Sequence, residues 1–371
     1  MLITVFFSVF SGLAVGTNVL ISNNYGAKKY HNVIKSTHTS IAVAVLGGIL
    51  LGILGICCTD TFLHILNVPE SLFAKARNYV ILFFIGTPFV MIYNFGSAIL
   101  RAVGDSKRPL IFVAVAGVFN VLLNLLFVIV FKMNVVGVAL ATLLSNILSA
   151  YLVFRTLLRS HNCIGIKIPL IRINLAMFRS ILRIGVPAGL QNAMFGISNL
   201  TILSSINSFG ENTIAGNTAA SSLESICWIA SNAFHQAVVT FVAQNYGAGK
   251  PKRILQSILY CLLLGTLISG ILAYTGLYFG KPLLSCFNST PEVIEQGMIR
   301  LKIILSLYFF VAIMDVLAGA VRGLGYSLLT AVISVIGVCV FRVFWVIYIF
   351  PKDHTLENLM ISYPVSWAVT A

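Results

Sequence analysis

Acidic residues are scarce in this chain. Only ten Asp and Glu stand among 371 residues, charged residues of both signs reach 9%, and hydrophobic residues make up 58%. An ordinary soluble domain is about 25% charged. A soluble chain this apolar would expose more hydrophobic surface than water tolerates, and the same numbers exclude disorder. Also missing are HExxH, GxSxG and a complete phosphate loop. Gly247-Ala248-Gly249-Lys250-Pro251 lacks the first Gly and the Ser/Thr of the last, so an intramembrane enzyme or ATP-driven pump finds no support. The seven Cys are scattered singly apart from Cys57-Cys58, without metal spacing, and read as mostly buried free thiols.

What the chain does have is long apolar runs and a basic excess, with mean hydropathy +0.98 and net charge +14. A membrane span needs about 17–25 mostly apolar residues. Such runs fall near 2–24, 40–66, 79–100, 109–131, 136–158, 183–208, 218–244, 254–279, 299–321 and 327–350, with a shorter one from 358. The expected fold is therefore an all-α polytopic membrane protein of ten complete spans and a partial eleventh, multi-pass in the cell membrane. The Lys and Arg lie in the gaps, where a nucleic-acid binder would gather them on one solvated face; no nucleic-acid partner is expected. Sixteen fall in one alternate set of gaps and seven in the other, with Arg342 inside a span. The positive-inside rule makes the first set cytoplasmic. Met1 then lies outside the cell, from which one preceding helix is expected and, with the last completed, a total of twelve.

An internal repeat stands out. Asn24-Tyr25-Gly26-Ala27 recurs as Asn245-Tyr246-Gly247-Ala248, and Arg101, Gly104 and Ser106 recur as Arg322, Gly325 and Ser327, all 221 residues on. Six spans separate the copies, so both enter the membrane in the same sense, as in transporters built from parallel repeats. The expected division is an N-terminal lobe at 1–158, a basic cytoplasmic linker at 159–182 and a C-terminal lobe at 183–371. Gly26 and Gly247 are expected at helix ends requiring positive φ.

These residues resemble the multidrug and toxic compound extrusion (MATE) transporters. The resemblance is carried by Gly16-Thr17-Asn18 through Ala27, Ile99 through Asp105, Asn120 with Asn124, Gly137 through Thr142, Gly185-Val186-Pro187, Gln244 through Ala248 and Arg322 through Gly325. It implies two six-helix bundles in a parallel pseudo-two-fold repeat. It also implies export of organic, often cationic, compounds in exchange for Na⁺ or H⁺, with no cofactor beyond that ion, a small-molecule substrate, a lipid environment and a monomer. A flippase for a lipid-linked glycan precursor is the alternative; it would be expected to carry more cavity cations than Arg342. The chain departs from its relatives at Asn124, where many carry Asp, and in having no acid between Pro187 and Asn207.

Charge at mid-bilayer is expensive, so intramembrane ionisable residues are functional candidates. Asp315 and Glu224 are the candidate ion-coupling acids. Asp315 reads either as an exchanger of a proton or Na⁺ or as the fixed partner of Arg342. Glu224 reads as a second coupling acid or a helix-start residue at interfacial water. Arg342 is expected to hold an acid in place. Asn120 and Asn124 share one helix face, and Gln191 and Asn192 follow Pro187, which is expected to kink its helix and free carbonyls. These four read as cavity-lining or as interhelical bonding groups. His235 is a cavity candidate that could relay protons, or a packing residue. Arg101 and Arg322 read as markers at helix C-termini.

Overall fold

The computed structural model describes residues 2–65 and 69–371, with side chains from residue 8 onward except 65 and 71. The expected placement of Met1 and the end of the run at 40–66 lie outside the described residues. Among the described residues every regular element is a helix and there is no strand. In a bilayer core, helices are the way for an unclosed chain to satisfy its own backbone.

The chain divides into two compact units, Met1–Gly189 and Leu190–Ala371. Unit 1 contains α1 (Leu2–Gly26), α2 (Tyr30–Ile65), α3 (Glu70–Ile85), α4 (Thr87–Ala102), α5 (Lys107–Asn124), which runs on as a π-helix over Leu125–Val130, and α6 (Asn134–Leu158). The boundary falls within α7 (Leu175–Ile206). Unit 2 continues with α8 (Glu211–Gly247), α9 (Pro251–Tyr278), α10 (Gly280–Ser285), α11 (Pro291–Ser306) and α12 (Phe309–Gly323). It closes with α13 (Ser327–Ser334) and α14 (Phe341–Phe344), joined by π turns, and α15 (Leu356–Thr370).

The 221-residue offset recurs in the helix boundaries. Gly26 and Gly247 end α1 and α8; Tyr30 and Pro251 begin α2 and α9; Glu70 and Pro291 begin α3 and α11; Ala102 and Gly323 end α4 and α12. The repeated motifs are the stops between these helices. Lys28 N–H donates to Tyr25 O and Lys29 N–H to Asn24 O; Gly249 N–H donates to Tyr246 O and Lys250 N–H to Asn245 O. Gly104 with Asp105 and Gly325 with Tyr326 repeat the pattern onto Arg101 and Leu100, and onto Arg322 and Val321. Each is a Schellman motif, which satisfies the last free carbonyls of a helix. The left-handed residue is Lys28 (φ 56°) or Gly249 (φ 65°) in the first pair and Gly104 or Gly325 (φ 95° in both) in the second. Gly26 and Gly247 are still helical, which corrects the expectation of positive φ there: the reversal comes two residues later.

Among the described residues seven helical stretches are long and apolar enough to cross a membrane, or eight if α11 and α12, bent by 50° at their junction, form one broken span. The expected runs at 2–24 and 183–208 are helical but are not among them. In α7 the reason is polar content: Gln191, Asn192, Asn199 and Thr201 interrupt its apolar stretch. The helix also begins at Leu175, ahead of that stretch, and takes Arg179 and Arg183 into its first turns.

Packing follows composition. In unit 1 a Cβ on Gly12, Gly16, Gly185 or Gly189 would strike the facing backbone of α1 or α7, so these helices meet on small residues. The connection between α6 and α7 is tied to α2: Lys167 N–H donates to His38 Nε2 at 3.1 Å and Asn174 N–H to Thr39 Oγ1 at 3.1 Å. By contrast α5 fully buries only Pro109 and Ala116, with Phe112, Phe119, Asn120, Leu123 and Asn124 half-buried and most of its other residues exposed. All seven Cys are free, but only Cys227, Cys261 and Cys339 are buried; Cys57 and Cys286 are exposed, contrary to the expectation of mostly buried thiols.

Candidate functional site

Helix α8 carries a polar stripe. Asn217, Glu224, Ser231 and His235 recur at intervals of seven, seven and four residues, which places them on one face. That face meets α11 and α12. The stripe builds two buried polar clusters in unit 2, with Glu224 and Ser231 roughly 10 Å apart along the helix axis.

The first cluster centres on Asp315, in the middle of α12. Ser231 Oγ donates to Asp315 Oδ2 at 2.8 Å. His235 Nδ1 lies 2.7 Å from the Asp315 backbone oxygen, and His235 Nε2 lies 3.2 Å from Arg322 Nη1. A carbonyl only accepts and a guanidinium only donates, so Nδ1 carries the proton and Nε2 accepts. The geometry thus specifies the neutral Nδ1–H tautomer. A proton reaching Nε2 would have to displace Arg322. That arginine, 4% exposed, also donates from Nη2 to Gln191 Oε1 at 2.5 Å. Lying two turns after Asp315 on the same helix face, Arg322 is the charged neighbour of that carboxylate and more than a helix-end marker.

The second cluster pairs Glu224 with Arg300 of α11. Arg300 Nη2 lies 2.6 Å from Glu224 Oε2, its Nε lies 3.2 Å from the same oxygen, and its Nη1 donates to Asn217 Oδ1 at 2.6 Å. Glu224 is therefore not a helix-start residue. It lies well inside α8, and its partner is a cation that the gap count had placed in a loop. Beside this pair, Arg342 stacks over Tyr363 at 4.2 Å and Trp367 at 5.7 Å. It donates from Nε to Ser366 Oγ at 2.9 Å and from Nη1 to Asn199 Oδ1 at 3.2 Å.

The expected Asp315–Arg342 pair is not formed. Ser231 binds the acid, while aromatic faces, a hydroxyl and an amide hold the arginine. The count of one interior arginine rises to three in unit 2, namely Arg300, Arg322 and Arg342, each with its own partners.

The other candidates separate. Gln191 is buried in the first cluster, but Asn192, about 100° further round the helix, is exposed. Pro187 lies inside α7, which runs through it without a break. In unit 1, Asn124 Nδ2 donates to Asn120 Oδ1 at 3.0 Å, so the two amides bind each other where α5 turns π-helical. Asn124 Oδ1 is buried without a partner, which leaves an acceptor aimed inward.

At the 221-residue offset the ionisable residues vanish from unit 1. Asp315 corresponds to Asn94, His235 to Ala14, Arg300 to Tyr79 and Arg342 to Val121; only Arg322 keeps its counterpart, Arg101. The repeat built the helices twice and the charged clusters once. Sequence reasoning missed Ser231, Arg300, Asn217 and the role of Arg322. The heptad spacing along α8 was the signal that could have found the first and third.

Chemically, the Asp315 cluster offers a carboxylate that can take up a proton or cation beside a fixed arginine and a histidine of defined tautomer. Arg322→Lys tests the arrangement. A single ammonium cannot donate to Gln191 and His235 together, so one buried acceptor loses its partner. The variant should be destabilised by about 1–3 kcal/mol, read as a lowered apparent melting temperature in detergent.

The sequence pattern of the MatE family matches residues 1–126 and 187–347. The chain is 32% identical over 334 residues to the probable multidrug resistance protein YpnP of Bacillus subtilis (strain 168), covering 89% of this chain and 74% of that one. It is 27% identical over 374 residues to the probable multidrug resistance protein YoeA of the same organism, covering 97% and 79%. A solved multidrug resistance MATE family transporter of the MOP superfamily matches with a TM-score of 0.92 at 19% identity, over 99% of this chain and 83% of that one, which is a likeness of fold.

Proposed function

We propose, from the premise that this chain belongs to the MatE family of multi-pass membrane transporters, that it exports organic cations from the cell in exchange for Na⁺ or H⁺. The observation that carries this reading is the buried Asp315–Ser231–His235–Arg322–Gln191 cluster. A fixed structural acid would be expected to sit in a direct ion pair, as Glu224 does. Asp315 instead accepts from a neutral hydroxyl and keeps its nearest cation engaged elsewhere, which suits a group that gains and loses an ion during a cycle. Ion binding at that carboxylate biases the exchange between conformations only through its different affinity for each. Glu224 in this reading is a structural acid, its charge offset by Arg300, and Asp315 is the coupling acid. Each compact unit is, in this reading, one of the two helical bundles of the family's architecture. Gln191 positions Arg322, and Asn120 with Asn124 contributes an amide acceptor to the substrate path.

The test is flux in liposomes. Purified protein is reconstituted and a pH or Na⁺ gradient is imposed while ethidium movement is followed by fluorescence. One gradient should drive ethidium uphill, and its collapse by an ionophore should stop the flux. Flux indifferent to both gradients overturns the antiport reading.

A further inference from the structure

The residues used so far lie largely in unit 2, and unit 1 has chemistry of its own at the end bearing the basic loops. Two neighbouring cavities of about 620 and 530 Å³ share Arg108, Ser160 and Asn162 in their walls. The larger combines Arg108, Arg155, Arg159 and His161 with the apolar Phe112 and Leu152, and no acid lines it. Helix register explains the convergence. Leu152 and Arg155 fall at i and i+3 on α6 with Arg159 at its C-cap, and Arg108 and Phe112 at i and i+4 on α5, so two helix faces bring cations and hydrocarbon to one place. In the smaller cavity Asp105 is the acid, and it pairs with Arg108 at 3.3 Å; Arg155 and Arg159 are both exposed on the wall of the larger one.

From this arrangement we infer that the α5–α6 cavity of unit 1 binds the headgroup of an anionic phospholipid of the cytoplasmic leaflet. Three features select that ligand. Convergent arginines recognise phosphate oxygens. The Phe112 and Leu152 wall suits an acyl chain and offers nothing to a free inorganic anion. The helix that forms the wall, α5, packs one face inward and leaves the rest exposed, so the cavity borders the surface that meets lipid. Positive-inside sorting puts this end at the cytoplasmic face, where anionic headgroups attract basic pockets between helices. The repeat supplies an internal control. At the 221-residue offset Lys107 and Arg108 become Leu328 and Leu329, and Phe112 becomes Ile333. An Arg108 needed only to build the start of that helix would be needed in both copies.

Native mass spectrometry of the full chain, with phosphatidylglycerol or phosphatidylcholine added, tests the site. Phosphatidylglycerol should bind about tenfold tighter or better than phosphatidylcholine. Arg155→Gln with Arg159→Gln should remove that preference, while Arg155→Lys with Arg159→Lys keeps most of it. Lys250→Gln with Arg253→Gln, basic residues at the start of α9 outside the cavity, should leave it unchanged. Equal affinity for the two lipids, an unaltered preference in the double Gln variant, or an equal loss in the α9 control overturns the proposal. So does displacement of phosphatidylglycerol by micromolar inorganic phosphate, which would mark a free-anion site. If the double Gln variant aggregates on gel filtration, Ser160→Asp replaces it: a weaker preference supports the site, and an unchanged one overturns it.

Discussion

Asp315→Asn should abolish gradient-driven efflux while the protein remains folded and inserted. The substitution is nearly isosteric. An Asn Oδ1 can still accept the Ser231 hydroxyl now 2.8 Å from Asp315 Oδ2. The backbone oxygen of residue 315 still accepts from His235 Nδ1, so the histidine keeps its tautomer and its contact with Arg322. What disappears is the ability to take up and release a proton or a cation. The expected outcome in liposomes is a fall in the initial rate of ethidium movement by about 100-fold or more, equivalent to about 2.7 kcal/mol at the rate-limiting step. Downhill leak and the gel-filtration profile should be unchanged. Full coupled transport by the variant removes Asp315 from the mechanism. Asp315→Glu separates charge from placement: it keeps the carboxylate but moves it about one methylene into a packed site, and partial activity is expected.

The second large effect concerns stability. Arg300→Leu leaves Glu224 buried in the apolar interior of unit 2, its side chain 16% exposed, without its hydrogen-bonded cation. Breaking a buried ion pair from one side costs about 3–5 kcal/mol, because the remaining charge loses its partner without regaining water. The Asn217 amide loses its donor as well. The variant should express poorly and melt at a clearly lower temperature in detergent. Adding Glu224→Leu should recover most of the loss, because an apolar pair of similar volume is often as stable as a buried ion pair. Retained coupled flux in the Glu224→Leu, Arg300→Leu protein would agree with a structural role for Glu224; loss of coupling in a stable double variant would make it a second coupling acid. Failure of both singles with rescue of the double is the pattern an isolated pair requires.

The legible and illegible parts of the site differ for physical reasons. Asp315, His235 and Gln191 stand out in the sequence because polar side chains in apolar spans are costly and must be satisfied. Arg300 does not stand out. It lies near the start of an apolar run, where counting cations by gap treats each one as solvated. In the fold, α11 begins earlier, at Pro291, and carries Arg300 onto the face opposite Glu224. Arg322 was visible as a helix-end cation, which is true of its position, since it lies in the last turn of α12. Its side chain turns inward all the same, toward Gln191 and His235. Asn192 shows the reverse. It is as polar as its neighbour Gln191, yet it points elsewhere, because successive helical residues diverge by about 100°.

Helical class, membrane setting and the 221-residue repeat can be read from the residues alone. These follow from local quantities: apolar run length, the scarcity of acids, and the turn chemistry of Asn24–Lys29 and Asn245–Lys250, which stops a helix wherever it occurs. Which charges meet is set by the packed fold. Pairing Glu224 with Arg300 and Asp315 with Ser231, and leaving Arg342 to Tyr363 and Trp367, depends on the rotation of each helix about its axis. That rotation is set by the packing of every neighbouring side chain together, and no single segment encodes it.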